Sequence, residues 1–318
     1  MPIRSFQQLK YEATWLGPKK VVVAAAANAE LLVAVREAQS SGMARCILVD
    51  DRQKLTRLAE ANQIDLSEMT LLDIPDHEEA ARAVMNMAHT GEVDVVMKGT
   101  LETATFMRAA LDRDTGLRVG RLLTHVAVFE IPGFNRLLLI TDAGIVVAPD
   151  IYQKIVIVQN AIDVAHKLGL EQPKVAILAA AELVDPKIPS TVDAANLSKM
   201  AERGQIRGGI VDGPLALDNA ISEASIVIKG INSPIAGQAD ILIVPSVEAG
   251  NLLAKAITYF GHGEMAGVVV GGCAPLVVTS RSDSHTTKLV SIALGVLLAT
   301  SGCQRIQPPA GQGNLREG

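Results

Sequence analysis

The sequence predicts an α/β fold with a largely parallel sheet, and three observations carry that reading. Short apolar runs alternate with longer stretches of helical spacing along most of the chain. Apolar residues make up 49% of the 318 positions, but only 3% are aromatic and Trp15 is the single tryptophan, so the core is built from Val, Ile, Leu, Ala and Met. Small and branched side chains of this kind suit strands covered by helices on both faces. The length is sufficient for a substantial interior and for two domains.

The strands are expected at VVVAAAA from Val21, CILV from Cys46, VDVVM from Val93, THVAVF from Thr124 and RLLLIT from Arg136. They continue with KVAILAA from Lys174, GGIV from Gly208, DILIVP from Asp240 and GVVVGG from Gly267, and a further strand ends near Val278. NAELLVAVREAQSSG from Asn28 has helical apolar spacing and stops on Gly42, a C-terminal glycine signal. EIPGFNR and TDAGIVVAPD change the rhythm between residues 130 and 150, where a domain boundary is expected, with a second near GGCAP. VDGPLALDNAIS from Val211 reads as a Gly-Pro turn with Asp218 and Asn219 at a helix start. VPSVEAGNLLAKAITYFG from Val244 reads as a strand end entering a long helix, with Glu248 and Asn251 read as first-turn helix residues and a cleft-facing position as the alternative. The run Leu289 to Ala299 is shorter than the ~20 residues of a bilayer span and reads as a buried helix packing with the first half. The tail QPPAGQGNLREG lacks periodicity and is expected to be mobile.

The formal charge of −5 comes from acidic and basic residues mixed along the chain, with no basic stripe for a nucleic-acid backbone. Cys46, Cys273 and Cys303 are odd in number and lack metal-type spacing, which points to reduced thiols and a cytoplasmic setting. MPIRSFQQLKYEATW has no charged-then-apolar export pattern, and no membrane association is expected. There is no G-x-G-x-x-G after the first strand, no G-x-x-x-x-G-K-[ST], no H-E-x-x-H, no C-x-x-C and no G-x-S-x-G. These absences argue against dinucleotide binding, P-loop hydrolysis, a resident metal and an elbow nucleophile.

The chemistry-bearing pattern is VTSRSDSHTTK. A strand ending near Val278 leaves Thr279, Ser280 and Arg281 at its carboxyl end, with a helix opening between Asp283 and Thr286. Helix-start N–H groups attract anions there. Arg281 adds a bidentate grip, Ser280 a donor to an oxyanion, and Asp283 a proton acceptor. Asp283 and Ser284 are also good helix caps, which is the structural alternative. Lys98, Gly99 and Thr100 end another strand before a helix carrying Arg108, which reads equally as a solvated strand end or as a ligand site. Asp142 ends a third strand before Gly144, where it can serve a ligand or bond its own turn. Cys273 has only Arg281 nearby in sequence to activate it and reads as a buried small residue.

Taken in order, MKGTLETATFMRAAL, LLLITDAGIVVAPD, KIVIVQNAIDVAHKLG, PKVAILAAAELVDPKIPSTVDA, GGIVDGPLALDNAIS, ADILIVPSVEAGNLLAKAITYF and PLVVTSRSDS resemble the phosphate acetyl/butyryltransferase family over nearly the whole chain. VDGPLALDNAIS and T-S-R-x-D-S are the most specific pieces. The resemblance implies reversible transfer of a short acyl group between CoA and inorganic phosphate in a ternary complex, with no acyl-enzyme. Acyl-CoA, phosphate and acyl phosphate are then the small-molecule substrates, and no cofactor is bound permanently. It implies two α/β/α domains around a cleft, similar to the isocitrate and isopropylmalate dehydrogenases. Residues 1–138 with 279–318 form the first domain and 139–278 a second, dimerising one in a homodimer. Ser280 and Arg281 match the family's Ser-Arg pair, and Arg108 falls on a family arginine. Where the acetyl branch carries its catalytic aspartate this chain has His285, Thr286, Thr287 and Lys288, leaving Asp283 as the nearest carboxylate and His285 as an alternative base. Glu102 stands where relatives often show histidine. The competing readings are a non-catalytic CoA-ester or anion-binding protein and a metal-dependent dehydrogenase on the same fold.

Overall fold

The computed structural model describes residues 1–299. Cys303, the tail from Gln307 and the end of the segment expected to close the first domain lie outside the described residues. Strands and helices alternate as α1 (Phe6–Trp15), β1 (Lys19–Ala24), α2 (Ala29–Ser40), β2 (Ala44–Asp50), α3 (Arg52–Ala61), β3 (Thr70–Asp73), α4 (His77–His89), β4 (Val95–Lys98) and α5 (Thr103–Ala110). Two strands follow in succession, β5 (Thr124–Glu130) and β6 (Leu138–Thr141), before α6 (Ile151–Lys167), β7 (Lys174–Leu178), α7 (Pro189–Glu202) and β8 (Ile210–Leu215). The remainder is α8 (Leu217–Ile221), α9 (Glu223–Lys229), β9 (Ile241–Ile243), α10 (Val247–Tyr259), β10 (Glu264–Val270), β11 (Leu276–Val277) and α11 (His285–Leu298). Ser5, Asn28, Asp51, Asp76, Asp150, Ser246 and Ser284 each cap a helix by accepting a first-turn backbone N–H.

One sheet of eleven strands runs in the order β3-β2-β1-β4-β11-β10-β5-β6-β9-β7-β8. Within β3-β2-β1-β4-β11 and within β6-β9-β7-β8 every pairing is parallel, as the alternation predicts. At the centre β11, β10, β5 and β6 pair antiparallel, so the two parallel blocks run in opposite directions. The reason is local: IPGFNR and GGCAP are too short to carry a crossover helix, and short turns join antiparallel strands. Strands β10 and β11 insert between β4 and β5.

Two local readings are corrected. Gly213 and Pro214 lie inside β8 instead of forming a turn, because β8 is the last strand of the sheet and an edge position tolerates a missing N–H. Strand β3 went unforeseen because its four residues are only partly covered at the opposite edge.

Side chains alternate between two faces, as the strand period requires. On one face a single core runs across both blocks, including Val21, Val23, Val126, Val128, Val175 and Val268. Helix α11 lies there, packed against α1 and α2. On the other face the core is divided. Val22, Ala24, Val96, Phe106 and Val269 form one cluster, and Ala127, Phe129, Ile140, Leu242 and Leu215 form another. A hollow opens on this face between the two clusters.

Candidate functional site

The hollow is a cavity of about 350 Å³. Thr103 of α5 borders it on one side, and Asn251, Lys255, Thr258 and Tyr259 of α10 on the other. His125 and Met265 come from the sheet, Ala143 to Ile145 from the turn after β6, and Thr279, Ser280, Ser282 and Asp283 from the loop between β11 and α11. Apolar walls and convergent polar groups are the usual make-up of a small-molecule site.

The loop is folded by its own polar groups. The Ser280 N–H donates to Asp283 Oδ2 at 2.7 Å, and the Ser280 and Ser282 hydroxyls are 3.0 Å apart. Ser284 then accepts from the Thr287 N–H at 3.2 Å and opens α11. Ser280 and Arg281 are left exposed at the loop's tip.

Lys98 is buried beside this loop at the end of β4. Its Nζ donates to the carbonyls of Gly99 and Leu101 at 3.1 and 3.2 Å. Burial, with help from the neighbouring Arg281 and Lys288 charges and against the pull of Asp283, brings its ammonium down to about 8. The following residues are strapped to the end of β1: Gly99 N–H to Ala24 O at 2.8 Å, and Thr100 N–H and Oγ1 to Ala25 O at 2.8 and 3.1 Å. Lys288, in the first turn of α11, is also buried, and its Nζ donates to the Asp283 carbonyl. Burial lowers its pKa too, against Asp283 and Glu30. Three cationic side chains thus gather around one carboxylate at a helix start, an arrangement that favours an added anion.

The other predicted residues are placed as follows. Asp142 is buried, and its carboxylate accepts the N–H groups of His125, Gly144 and Ile145, each at 2.8 Å. Arg108 is exposed, pairs with Glu78 at 3.6 Å and does not line the cavity. The His285 ring and N–H both engage Glu30 Oε2, at 3.2 and 2.7 Å. Glu102 occupies the N-cap of α5 with no side-chain cap bond. Cys273 lines a separate cavity with Arg121 and Asn160, and burial pushes the Cys46 thiol up to about 12, which leaves it unreactive.

The structure places Lys98 beside the Ser280–Arg281–Asp283 loop, and it adds two residues that sequence reasoning did not single out, Lys288 next to the loop and His125 in the cavity wall. Lys288 did carry a signal, since a cation in the first turn of an apolar helix opposes the helix dipole and needs another reason to be there. Asn251, for which the sequence favours a first-turn role over a cleft-facing one, lines the cavity.

A loop flanked by the cations Lys98, Arg281 and Lys288, beside an open, partly apolar cavity on a doubly covered α/β sheet, is a geometry suited to an anion next to a second group. Residues 76–296 match the phosphate acetyl/butaryl transferase family, and the chain belongs to that family. It is 45% identical over 297 residues to the phosphate butyryltransferase of Clostridium acetobutylicum, covering 93% of this chain and 99% of the relative. It is equally 45% identical over 282 residues to the phosphate acetyltransferase of Rhizobium meliloti, covering 89% of each. Among solved structures, a branched-chain phosphotransacylase from Enterococcus faecalis superposes with a TM-score of 0.78 at 34% identity, over 89% of this chain and all of the other.

Proposed function

We propose that this phosphate acyltransferase moves a short acyl group between CoA and inorganic phosphate by direct attack in a ternary complex. The observation that carries the reading is the gathering of Lys98, Arg281 and Lys288 around the Ser280 loop at the mouth of the cavity. Phosphate sits against Arg281 and Lys98, with the first turn of α11 behind it. The thioester carbonyl lies toward Ser280, whose hydroxyl donates to the oxyanion that forms on attack. Thr100 holds the Lys98 strand end in place. Arg108, about one and a half turns along α5 from the cavity residue Thr103, is assigned to the outer phosphates of CoA. Asp283 shapes the loop and keeps the neighbouring cations charged, and Asp142 fixes the turn under the acyl group. Both substrates come and go, and no resident cofactor is invoked. Equal identity to butyryl and acetyl enzymes leaves the acyl pocket to be read by assay. CoA release from acetyl-CoA, butyryl-CoA and a branched acyl-CoA, with and without phosphate, tests the reading; no phosphate-dependent release from any of them overturns it. The family and its relatives' names favour transfer over a binding-only protein or a dehydrogenase.

Lys98 gives this reading a pH signature. Its ammonium is charged below about 8 and neutral above. Phosphate is already mostly dianionic there, so kcat/KM for phosphate is expected to fall as pH rises through about 8. In Lys98→Arg that limb should move up beyond the assay range, since guanidinium stays protonated. A pH profile of kcat/KM that keeps its alkaline limb in Lys98→Arg removes Lys98 from the phosphate site.

We also infer two units about the cleft, residues 1–138 with 279–318 and residues 139–278. The divided core on the cavity face supports the two units. A homodimer through the second unit is supported by its uncovered apolar surface. Only Gly250 of α10 is buried, while Leu252, Tyr259 and Phe260 stand exposed, and Val227 and Ile228 do the same on α9. Such patches mark association surfaces, and an isologous pair covers both copies at once. The double variant Ile228→Glu/Phe260→Glu is expected to sediment as a monomer where the unaltered chain sediments as a dimer. Among the described residues no helix is long and apolar enough to cross a membrane, and a cytoplasmic site of action follows from the thiol reading.

A further inference from the structure

The cavity holds a histidine for which the scheme above has no use. His125 lies near the start of β5, with its ring between two glycines. A Cβ on Gly144 would come within 3.3 Å of its Cγ, and one on Gly267 within 3.2 Å of its Nε2. The residue is 9% exposed, and Nδ1 is buried with no hydrogen-bond partner. Its backbone is fixed on both sides, N–H to Asp142 Oδ2 at 2.8 Å and carbonyl to Thr141 Oγ1 at 2.7 Å. A buried polar atom left without a partner in an otherwise well-paired neighbourhood calls for a chemical reason. Of the two bases that sequence suggests, His285 is paired with Glu30 away from the cavity, and Asp283 Oδ2 accepts the Ser280 N–H.

We propose that His125 is the proton carrier of the transfer, its imidazole moving one proton between phosphate and the CoA sulfur. The inference rests on the acyl-transfer reading above. In the direction of acyl phosphate formation, an oxygen of the phosphate monohydrogen dianion attacks the thioester carbonyl and forms the C–O bond. The tetrahedral intermediate collapses, the C–S bond breaks and its electron pair returns to sulfur. The phosphate proton passes to imidazole and from imidazole to the thiolate, so CoA leaves as the thiol and the ring ends neutral. In reverse, the ring takes the thiol proton as sulfur attacks acyl phosphate, and returns it to the departing phosphate. No other reactant is required. Burial holds the ring's pKa below the ordinary histidine value, with Asp142 pulling it upward, so the resting ring is neutral and able to accept. Asp142 after β6 acts on its charge, and the other titratable groups lining the same cavity are Lys255 and Tyr259 on α10 and Asp283 before α11. The Asp142 carboxylate offsets the charge of the transient imidazolium.

The test measures kcat, KM and pH profiles in both directions for wild type, His125→Asn and His125→Ala, with thermal unfolding as the check on folding. Loss of the proton carrier is expected to lower kcat about 10²-fold or more, with KM for acyl-CoA changed by less than about threefold. In the direction that consumes acyl phosphate, where inorganic phosphate is not a substrate, the acid limb of the wild-type kcat profile should disappear from both variants. Added imidazole should restore rate to His125→Ala, and substituted imidazoles should restore it in proportion to their basicity. If His125→Ala does not fold, the pH profile of His125→Asn carries the test. A folded His125→Asn that keeps kcat within about threefold of wild type sinks the proposal, and so does a slow variant with an unchanged pH profile and no imidazole rescue. Wild type without phosphate-dependent turnover would instead sink the acyl-transfer reading itself.

Discussion

Replacing Arg281 by alanine is expected to lower kcat/KM for phosphate by about 10²- to 10³-fold while leaving the fold intact. The guanidinium stands exposed at the tip of the β11–α11 loop, so its removal uncovers no core and creates no cavity. Surface changes of that kind stay within about 0.5 kcal/mol of wild-type stability. Its loss falls on the bound anion, because a guanidinium offers two parallel charge-assisted donors and the lysines offer single ones. Arg281→Lys keeps the charge without the fork and should recover only part of the loss. A second readout ties the residue to its neighbour. Arg281 helps depress the Lys98 ammonium, so removing it should move the alkaline limb of the phosphate profile upward from about 8. An Arg281→Ala enzyme with wild-type phosphate dependence would take the anion site away from this loop.

What the sequence made legible follows from where physics acts locally. Strand and helix positions are written in the two periodicities, and helix starts in capping residues such as Asn28 and Ser284. The Ser280–Arg281 loop was legible because charge at the end of an apolar strand stands out. The antiparallel centre was not, since nothing in THVAVF or GVVVGG encodes a neighbour; the direction is set by short connections and by the insertion of β10 and β11 between β4 and β5. His125 was hidden for the same reason. In sequence it is one polar residue in a strand, and its setting comes from Gly144 and Gly267, which lie 19 and 142 positions away. Lys288 was passed over despite its signal, a cation at the start of an apolar helix, because the run from Leu289 onward reads as core packing. The same locality explains Asp142: an Asp before a glycine-containing turn bonds backbone N–H groups, and the turn reading was on the page from the start.

The largest effect on folding is expected at Gly99. A Cβ there would lie 2.0 Å from Ala25 O and 2.6 Å from Ala24 O, inside any allowed contact. Both obstacles are backbone atoms at the end of β1, which is paired to β2 on one side and β4 on the other, so neither can move alone. The strand end is also already bent: Ala25 is buried at a positive φ of 54°. Close approach is what lets Gly99 and Thr100 bond the Ala24 and Ala25 carbonyls and hold Lys98 beside the anion loop. Gly99→Ala is expected to cost about 3 kcal/mol or more, at the upper end of overpacking, and to lower the unfolding temperature by several degrees. Gly120→Ala makes the same chemical change at a positive φ of 84° with nothing within 4 Å, and should cost only about 1–2 kcal/mol. The order of the two variants in thermal unfolding separates a steric cause from a conformational one. Gly99→Ala should also lose phosphate saturation in whatever fraction remains folded, because the shift that relieves the clash carries Lys98 and Thr100 with it. Equal unfolding temperatures for Gly99→Ala and Gly120→Ala would mean that the β1–β4 junction yields, and that Lys98 is held by burial instead of by this strap.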